Sequence, residues 1–411
     1  MRILHFSDVH IGVESYGKTD PETGLSTRLL DFLETFDEVV SYALDNRVDL
    51  ALFCGDAYKS RDPTQTHQRE FAKRIARLAS GGIPVFLVAG NHDVPQVVSR
   101  ASSLEIYRTL DVPNVYIGDT LSTYRVPTAD GPLQIVALPW IRRSGFLARE
   151  DMRGKTADEV NEAIQNSLTN AIRSQAEGLD ESLPAVLAGH VSVDQAKTGS
   201  EQSMMLGRDY VLLRSAVALP QFDYVALGHV HRHQVLGHSP LVSYSGSIQR
   251  VDFGEENDEK GFCLVDLDSQ APPGSRLRDF DFHKLEARRF VTVSVEVAEG
   301  DLDPTLTVTG GIEKSYVDDA IVRVLIRLPG DLLPHLREGH IRDALSSAHF
   351  VASVSKEVTD EPRTRLGRDF TQVLEPREVL KVYLEGRGVA SDRAKVLMEH
   401  AEDLIREETT E

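Results

Sequence analysis

The chain has 411 residues, of which 41% are hydrophobic and 27% are charged, as is typical of a globular protein with two or three domains. No apolar run approaches the roughly 20 residues of a membrane-spanning helix, and the amino terminus lacks a secretion-signal pattern. We therefore predict a cytoplasmic protein with no membrane partner. The net charge of −19 argues against broad electrostatic capture of nucleic acid, so such a substrate would require a local basic patch, metal ions or a partner.

The two cysteines, Cys54 and Cys263, both lie inside apolar, strand-like runs. Neither has a second ligand at the spacing of a metal site. We predict two buried, unpaired thiols, as is usual in a reducing compartment.

The first 90 residues alternate between strand-like and helical patterns. A strand at the amino terminus precedes a helix at residues 26–46, in which apolar side chains recur at three- and four-residue steps. Strands at residues 48–54 and 83–89 flank a second predicted helix at residues 64–79. This alternation predicts an α/β fold with helices outside the sheet, in which ligands gather at the carboxyl ends of the strands.

The same pattern continues to about residue 266. A short helix is predicted at residues 103–110 and a long one at residues 156–177. The further predicted strands are residues 115–117, 133–138, 185–189, 224–227, 241–245 and 261–266. The last two favour a second sheet, and hence a sandwich of two sheets. Residues 269–275, which are rich in Pro, Gly and Ser, indicate a turn or a linker.

The remaining residues predict a second, smaller unit and a terminal helix pair. The smaller unit is predicted to contain strands at residues 290–297, 320–328 and 350–358 and a helix at residues 332–346. Residues 360–373 are polar and indicate a linker, before two short helices at residues 376–385 and 391–408. The predicted units are residues 1–283, 284–368 and 369–411.

Five of the predicted strands end in side chains of the types that bind metal ions. In chain order the endings are Asp8 with His10, Gly55-Asp56, Gly90-Asn91-His92-Asp93, Gly189-His190, and Gly228-His229 with His231. One such ending is usually a turn or a hydrogen-bonded surface histidine. Five of them in one chain are poorly explained in that way, so we predict a metal site.

The endings supply seven oxygen or imidazole donors, namely Asp8, His10, Asp56, Asn91, His190, His229 and His231. Seven donors are too many for one ion and suit two ions, with Asp56 as the shared carboxylate. No thiolate takes part, which favours manganese, iron or zinc. Two ions about 4 Å apart can activate a water and hold a phosphoryl oxygen during in-line displacement. His92 is the candidate catalytic acid that protonates the leaving oxygen.

Two other kinds of site are excluded by their motifs. The dinucleotide-binding G-x-G-x-x-G does not occur in the sequence. Ser247 follows Gly246 but does not lie in a G-x-S-x-G nucleophile elbow.

The order D-x-H, G-D, G-N-H-D, G-H and G-H-x-H resembles that of the calcineurin-like metallophosphoesterases. Within that superfamily, four segments resemble SbcD-type nucleases, the nuclease subunits of SbcC–SbcD double-strand-break repair complexes; these are residues 2–12, 137–140, 244–255 and 260–262. The resemblance is close over about the first 265 residues. It implies a calcineurin-like two-sheet sandwich flanked by helices, followed by a small α+β capping domain and a C-terminal helix pair.

The resemblance also implies roles for the candidate residues. One ion would be held by Asp8, His10, Asp56 and His231, and the other by Asp56, Asn91, His190 and His229. His92 would be catalytic without being a ligand. The expected cofactors are two Mn²⁺ ions per subunit, with Mg²⁺, Fe²⁺ or Zn²⁺ as alternatives. Lys59 stands where some relatives carry a second histidine, so no role for that histidine is carried over.

The partners implied by the resemblance are DNA, an ATPase and a second copy of the chain. A capping domain at residues 284–368 would help to place DNA, and a helix-loop-helix at about residues 374–408 would dock on an SbcC-like, SMC-type ATPase. A homodimer would form through the nuclease domain, with Leu104, Ile106, Tyr107 and Leu110 as its candidate interface. Such a protein would be nucleoid-associated.

Three functions are in competition at this point. The first is a manganese-dependent DNA nuclease with double-strand exonuclease and single-strand endonuclease activity. The second is a metallophosphoesterase that acts on small or non-DNA phosphodiesters, and the third is a scaffold whose site has decayed. The complete ligand set argues against decay, and the extra C-terminal units favour the nuclease. The candidate phosphate contacts are Arg61, Arg142, Arg143, Arg232 and Arg250.

Overall fold

Two six-stranded sheets and one three-stranded sheet organise the protein. The computed structural model describes residues 1–95, 100–143, 154–199 and 210–359, together with a few positions between residues 380 and 401. The predicted linker at residues 360–373 lies outside the described residues, as do most of the two predicted C-terminal helices. None of the described helices is long and apolar enough to cross a membrane.

The strands of the first half are β1 (Arg2–Phe6), β2 (Leu50–Cys54), β3 (Val85–Val88), β4 (Val115–Gly118), β5 (Ser122–Thr128), β6 (Gly131–Leu138), β7 (Ala185–His190), β8 (Ser192–Val193) and β9 (Val211–Leu212). Those of the second half are β10 (Tyr224–Gly228), β11 (Gln234–His238), β12 (Leu241–Tyr244), β13 (Gly261–Leu267), β14 (Leu277–Lys284), β15 (Phe290–Glu296), β16 (Ile321–Leu328) and β17 (Phe350–Val358). The described α-helices are α1 (Thr27–Asp45), α2 (Gln65–Ser80), α3 (Glu105–Thr109), α4 (Ala157–Glu177), α5 (Arg214–Val217), α6 (Pro304–Glu313) and α7 (Glu338–Ala344).

The two large sheets pack face to face, which confirms the predicted sandwich. The first has the order β14-β13-β1-β2-β3-β4 and the second β11-β12-β10-β7-β6-β5. The apolar layer between them contains buried residues of both sheets, such as Leu52 and Phe86 from the first and Ile135 and Val186 from the second. Strands that are covered on both faces read as continuous apolar runs, as β2 does with all five residues buried.

Helices cover the outer face of each sheet. Helices α1 and α2 pack on the first sheet through residues such as Phe36 and Phe71, and α4 packs on the second through Ile164 and Leu168. Helix α4 begins at a capping box, in which the Thr156 hydroxyl accepts the Glu159 backbone N–H and Glu159 reaches back to the cap. The prediction of an α/β fold with helices outside the sheets is therefore confirmed.

The third sheet, β15-β16-β17, is parallel throughout and is joined to the sandwich by buried and half-buried ion pairs. The Arg288 guanidinium, just before β15, lies 2.6 Å from Asp31 Oδ1 of α1. Asp31 also accepts a 2.7 Å hydrogen bond from the fully buried Arg28. Glu256 of the sandwich accepts the backbone N–H of Thr292 at 2.7 Å. These contacts fix where the smaller sheet lies relative to the strand ends.

Several predicted elements differ from the observed ones. Residues 269–275 are not a linker, because they form the turn of the β13–β14 hairpin inside the first sheet. The helix predicted at residues 332–346 is divided into a 3-10 helix at Gly330–His335 and α7, because Pro334 cannot continue an α-helix. Both cysteines are free and buried, as predicted.

Candidate metal centre

All eight predicted site residues lie at the carboxyl ends of strands from the two large sheets. Strands β1, β2 and β3, neighbours in the first sheet, are followed by Asp8, His10, Asp56, Asn91 and His92. Strand β7 ends at His190, and β10 of the second sheet is followed by His229 and His231. The two sheets therefore contribute opposite walls of one site, and the structure brings the whole predicted set together.

The first group of donors consists of Asp8, His10 and His231, all buried. The Nε2 atom of His10 lies 3.0 Å from Nε2 of His231 and 3.9 Å from Oδ1 of Asp8. Oδ1 of Asp8 lies 4.0 Å from Nε2 of His231. The three donor atoms converge on a space of the size that one cation fills.

The second group consists of Asn91, His190 and His229. Oδ1 of Asn91 lies 2.9 Å from Nε2 of His190 and 3.1 Å from Nδ1 of His229. Asp56 lies between the two groups, because its Oδ2 is 3.4 Å from His190 Nε2 and 3.7 Å from His10 Nε2. This is the position that a carboxylate shared by two ions would need.

The hydrogen bonds behind the rings indicate which nitrogen atoms face the site as acceptors. A backbone carbonyl can only accept, so Nδ1–H of His10 donates to Tyr58 O at 3.4 Å, and Nδ1–H of His190 donates to Cys54 O at 2.7 Å. The carboxylate of Glu255 likewise accepts Nδ1–H of His231 at 2.6 Å. In a neutral ring Nε2 is then the lone-pair atom.

Nitrogen lone pairs that face one another repel, and a cation between them removes that repulsion. The Nε2 atoms of His10 and His231 face each other at 3.0 Å, and Nε2 of His229 is buried without a hydrogen-bond partner among the described residues. Buried polar atoms are rarely left in this state without an ion or water. Oxygen and imidazole donors without thiolates suit divalent manganese, iron or zinc. The donor set therefore fits the divalent metal ions that the sequence predicts.

Burial and charge shift the pKa values of these groups in opposite directions. Burial lowers the pKa values of His10 and His229 well below the ordinary histidine value. Burial also lowers that of His190, but the attraction of Asp56 and Asp8 outweighs it and raises the pKa to about 9. Burial opposes ionisation of Asp56, yet the attraction of His190 and His92 holds its pKa well below the usual range. In the metal-free site, a proton on His190 supplies part of the charge that a cation would bring.

Strained backbone at the strand ends aims the donors inward. Asp8, His10, Asp56 and His229 all have positive φ, between 47° and 96°, a region that side chains other than glycine seldom adopt. Such strain persists only where the surrounding structure imposes it, and it is concentrated at functional sites.

The glycines of the motifs make the close approach between strand ends feasible. A Cβ atom at Gly55 would collide with the His190 ring, and one at Gly90 would collide with the Asp56 carboxylate. The Gly55 contact joins strand ends of the two sheets, and the Gly90 contact joins the ends of two neighbouring strands in the first sheet.

His92 lies beside the donors, with a ligand atom within 4.8 Å of those of His10 and Asp56. Its Nδ1–H donates to Lys59 O at 2.7 Å, and its backbone N–H donates to Asp56 Oδ1 at 2.8 Å. The half-buried ring lines an open cavity together with Lys59, Arg61 and Arg100. This arrangement leaves Nε2 as the ring nitrogen that can exchange a proton with a bound substrate.

Two supporting groups had no role in the sequence prediction. Asp93, the last residue of G-N-H-D, accepts the backbone N–H groups of Asp56, Ala57 and Gly90 at 2.8, 3.0 and 2.9 Å. The motif contains this residue, so its position could have indicated a supporting role. Glu255 contacts His231 from a segment 24 residues later, and no spacing rule links the two.

The predicted dimer interface is only partly exposed. Leu104 and Tyr107 are buried in the core of the first sheet, whereas Ile106 and Leu110 are 50% and 67% exposed. Leu104 and Tyr107 are therefore wrong as interface residues. The apolar pattern of this short helix does not distinguish its core-facing side from its exposed side.

Comparison with known proteins places the site in a family. A family model described as calcineurin-like phosphoesterase matches residues 1–233. The chain is 25% identical to the SbcD subunit of the SbcCD nuclease of Staphylococcus epidermidis over 74% of this chain and 73% of that protein. It is 27% identical to the SbcD subunit of the SbcCD nuclease of Bacillus subtilis over 67% of each chain. It is 26% identical to the DNA double-strand break repair protein Mre11 of Thermoplasma acidophilum, over 67% of this chain and 64% of that protein.

Proposed function

Because this chain belongs to the calcineurin-like phosphoesterase family, we propose that it is the two-metal nuclease subunit of a DNA double-strand-break repair complex. The observation that carries the proposal is the convergence of seven oxygen and imidazole donors, with Asp56 between the two groups. The three relatives described above, two named as SbcCD nuclease subunits and one as Mre11, support DNA as the substrate.

The ligand assignment follows from the two donor groups. Asp8, His10, Asp56 and His231 would hold one Mn²⁺ ion, and Asp56, Asn91, His190 and His229 the other. Bound divalent ions would provide a Lewis acid for the phosphodiester and lower the pKa of the attacking water. The protein contributes the fixed ring tautomers and the strained strand ends, which hold the donors in place before substrate arrives.

His92 is the proposed acid for the leaving oxygen. The Lys59 carbonyl holds Nδ1–H, so when the ring is doubly protonated its Nε2–H can give a proton to the leaving oxygen as the P–O bond breaks and the ring becomes neutral. The backbone N–H of His92 donates to Asp56 Oδ1, which ties the position of the acid to the carboxylate between the donor groups. Proton donation and metal binding are thereby held in one fixed geometry.

Cations beside His92 are the proposed contacts for the DNA backbone. Lys59, Arg61 and Arg100 line the same cavity as His92, and Arg61 Nε donates to Asn91 O at 2.8 Å. Of the other predicted contacts, Arg250 instead donates to the backbone carbonyls of Ala287, Arg288 and Asp258, and Arg232 pairs with Asp258 at 2.7 Å. A phosphate next to the scissile one would lie against the cavity cations.

The assembly follows the same proposal. DNA would be placed by the unit at residues 284–368, which the Arg288–Asp31 ion pair ties to the sandwich. The segment at residues 369–411 would bind an SbcC-like, SMC-type ATPase, and the exposed Ile106 and Leu110 would take part in a homodimer. Such a complex would act at the nucleoid.

The test is digestion of linear duplex DNA and of single-stranded circles in Mn²⁺, with and without the SMC-type ATPase encoded by the same organism. We expect metal-dependent degradation of duplex ends and nicking of single strands, both abolished by EDTA. Hydrolysis of bis-p-nitrophenyl phosphate without any cleavage of DNA would instead favour the small-phosphodiester hydrolase and would overturn the proposal.

A further inference from the structure

Glu255 lies behind His231, on the side of the ring away from the candidate metal centre. Its carboxylate is fully buried, and Oε1 accepts the Nδ1–H of His231 at 2.6 Å. On the other edge of the ring, His231 Nε2 lies 3.0 Å from His10 Nε2 and 4.0 Å from Asp8 Oδ1. The ring is therefore held between a carboxylate and the donor atoms of the first group.

The second oxygen of Glu255 is held by two donors. Oε2 lies 2.8 Å from the Lys260 ammonium and accepts the backbone N–H of Val251 at 2.9 Å. Lys260, also buried, further donates to Ser247 Oγ at 2.8 Å and to the His231 carbonyl at 3.1 Å. Three acceptors satisfy the three N–H bonds of the ammonium, and donors on both oxygens prevent the carboxylate from rotating.

The Glu255–Lys260 ion pair is fully buried. Taking two charges out of water is costly unless their remaining hydrogen bonds are made, as they are here by Val251, Ser247 and the two groups of His231. The network therefore holds the Glu255 carboxylate in one position behind the His231 ring.

We propose that Glu255 is a positioning residue for the metal centre and that Lys260 holds Glu255 in place for that task. By accepting Nδ1–H, Glu255 fixes the His231 tautomer whose Nε2 lone pair faces the ion shared with Asp8 and His10. This inference rests on the proposed two-metal function. It assigns part of the metal affinity of the site to a residue that touches neither ion nor substrate. Carboxylates behind ligating histidines contribute about 10-fold to 100-fold in metal affinity.

Glu255→Gln tests the tautomer directly. Lys260 and the Val251 N–H are both donors, so they retain the single amide oxygen and turn the amide NH₂ toward His231. An NH₂ group donates to Nδ1 and forces the proton of a neutral ring onto Nε2. The proton then occupies the position that the ion requires, although the size and packing of the side chain hardly change.

The matched control is Glu256→Gln, the same substitution at the adjacent residue. The Glu256 carboxylate accepts the backbone N–H of Thr292 at 2.7 Å, in the contact with the smaller sheet. Both variants of the full-length chain are titrated with Mn²⁺ by calorimetry. We expect Glu255→Gln to bind one ion as the wild type does and the other about 10-fold to 100-fold more weakly, and the control to bind both unchanged.

Nitrogen-15 NMR of histidine-labelled, metal-free wild-type protein at pH 8 gives a second measurement that does not depend on the Glu255→Gln variant. The His231 resonance, assigned from a His231→Asn sample, is expected to carry its proton on Nδ1. A bare Nδ1, or wild-type affinity for both ions in Glu255→Gln, would overturn the proposal. If the wild-type protein showed no nuclease activity, the proposed function would be refuted. The NMR result for the His231 tautomer would still stand.

Discussion

The carboxylate of Asp93 holds the backbone of Asp56 from behind the candidate metal centre. Its Oδ2 accepts the N–H of Asp56 at 2.8 Å and that of Gly90 at 2.9 Å, while Oδ1 accepts the N–H of Ala57 at 3.0 Å. Asp56 has a φ of 62°, so its backbone would otherwise relax toward a more common conformation. Asp93 thus offsets the strain that directs the shared carboxylate inward.

Asp93→Asn is expected to destabilise the fold while keeping the size of the side chain. The amide has one oxygen, so its NH₂ group would face the Ala57 N–H and leave a buried donor unsatisfied. That loss corresponds to about 1–3 kcal/mol in the free energy of unfolding. Urea unfolding of the metal-free protein measures it, with Asp62→Asn, at an exposed carboxylate, as the control. Equal midpoints for the two variants would contradict this role.

Asp56→Ala is expected to remove both ions, because its carboxylate lies between the two donor groups. Calorimetric titration with Mn²⁺ should show no high-affinity site, whereas Asp62→Ala should retain two. If Asp56→Ala still bound one ion with wild-type affinity, Asp56 would belong to a single coordination shell and the bridging assignment would be wrong.

His92→Ala separates proton transfer from binding. The ring donates to Lys59 O and is not one of the seven assigned ligands, so its removal should leave Mn²⁺ and DNA affinity close to those of the wild type. Loss of a general acid lowers the cleavage rate by about 10²-fold to 10⁴-fold. His67→Ala, which removes a histidine paired with Glu14 outside the site, is the matched control. A parallel loss of bound manganese would make His92 a ligand.

Metal binding is expected to release a proton from His190. In the metal-free protein its pKa is raised to about 9, so at pH 7–8 the ring is protonated, and it must become neutral to bind an ion. Metal affinity should therefore rise with pH and level off near pH 9. The calorimetric enthalpy should depend on the ionisation enthalpy of the buffer, with a slope near one proton from this residue. A buffer-independent enthalpy at pH 7–8 would mean that His190 is already neutral.

The sequence predicted the sandwich and the donor set because both are encoded locally. A buried strand reads as an apolar run, and each G-D or G-H ending marks where that strand meets the site, as Gly55 and Gly90 illustrate. The helix at Pro304–Glu313 was missed because Gly310, Gly311 and several β-branched residues give it low helix propensity. Packing of Val308 and Ile312 against the third sheet stabilises this helix instead.

The groups that support the site were harder to predict because they depend on tertiary contacts. Glu255 and Lys260 contact His231 in the folded chain, where β13 pairs with β1, and nothing in their spacing indicates the contact. Arg250 looked like a phosphate contact from its position after a strand, whereas its guanidinium is used by three backbone carbonyls. The local sequence does not distinguish an arginine that binds substrate from one that supports a loop.

Neutralising the cavity cations should weaken DNA binding without affecting the chemistry. Lys59 and Arg100 line the cavity beside His92, and in a chain of net charge −19 they are nearby cations that can meet a DNA phosphate. Lys59→Gln combined with Arg100→Gln should lower affinity for all DNA sequences alike and flatten the salt dependence by about two contacts.

The control for this pair is Arg278→Gln with Lys284→Gln, which removes the same two charge types from β14, where they pair with Asp268 and Glu259. Filter binding of duplex DNA at several salt concentrations should distinguish the two double variants, because only cations that contact phosphate release counterions on binding. Hydrolysis of bis-p-nitrophenyl phosphate should stay near the wild-type rate in both, since that substrate does not extend to a neighbouring phosphate. If the cavity variant lost both activities equally, Lys59 and Arg100 would support the site itself, and the DNA backbone would have to be bound elsewhere.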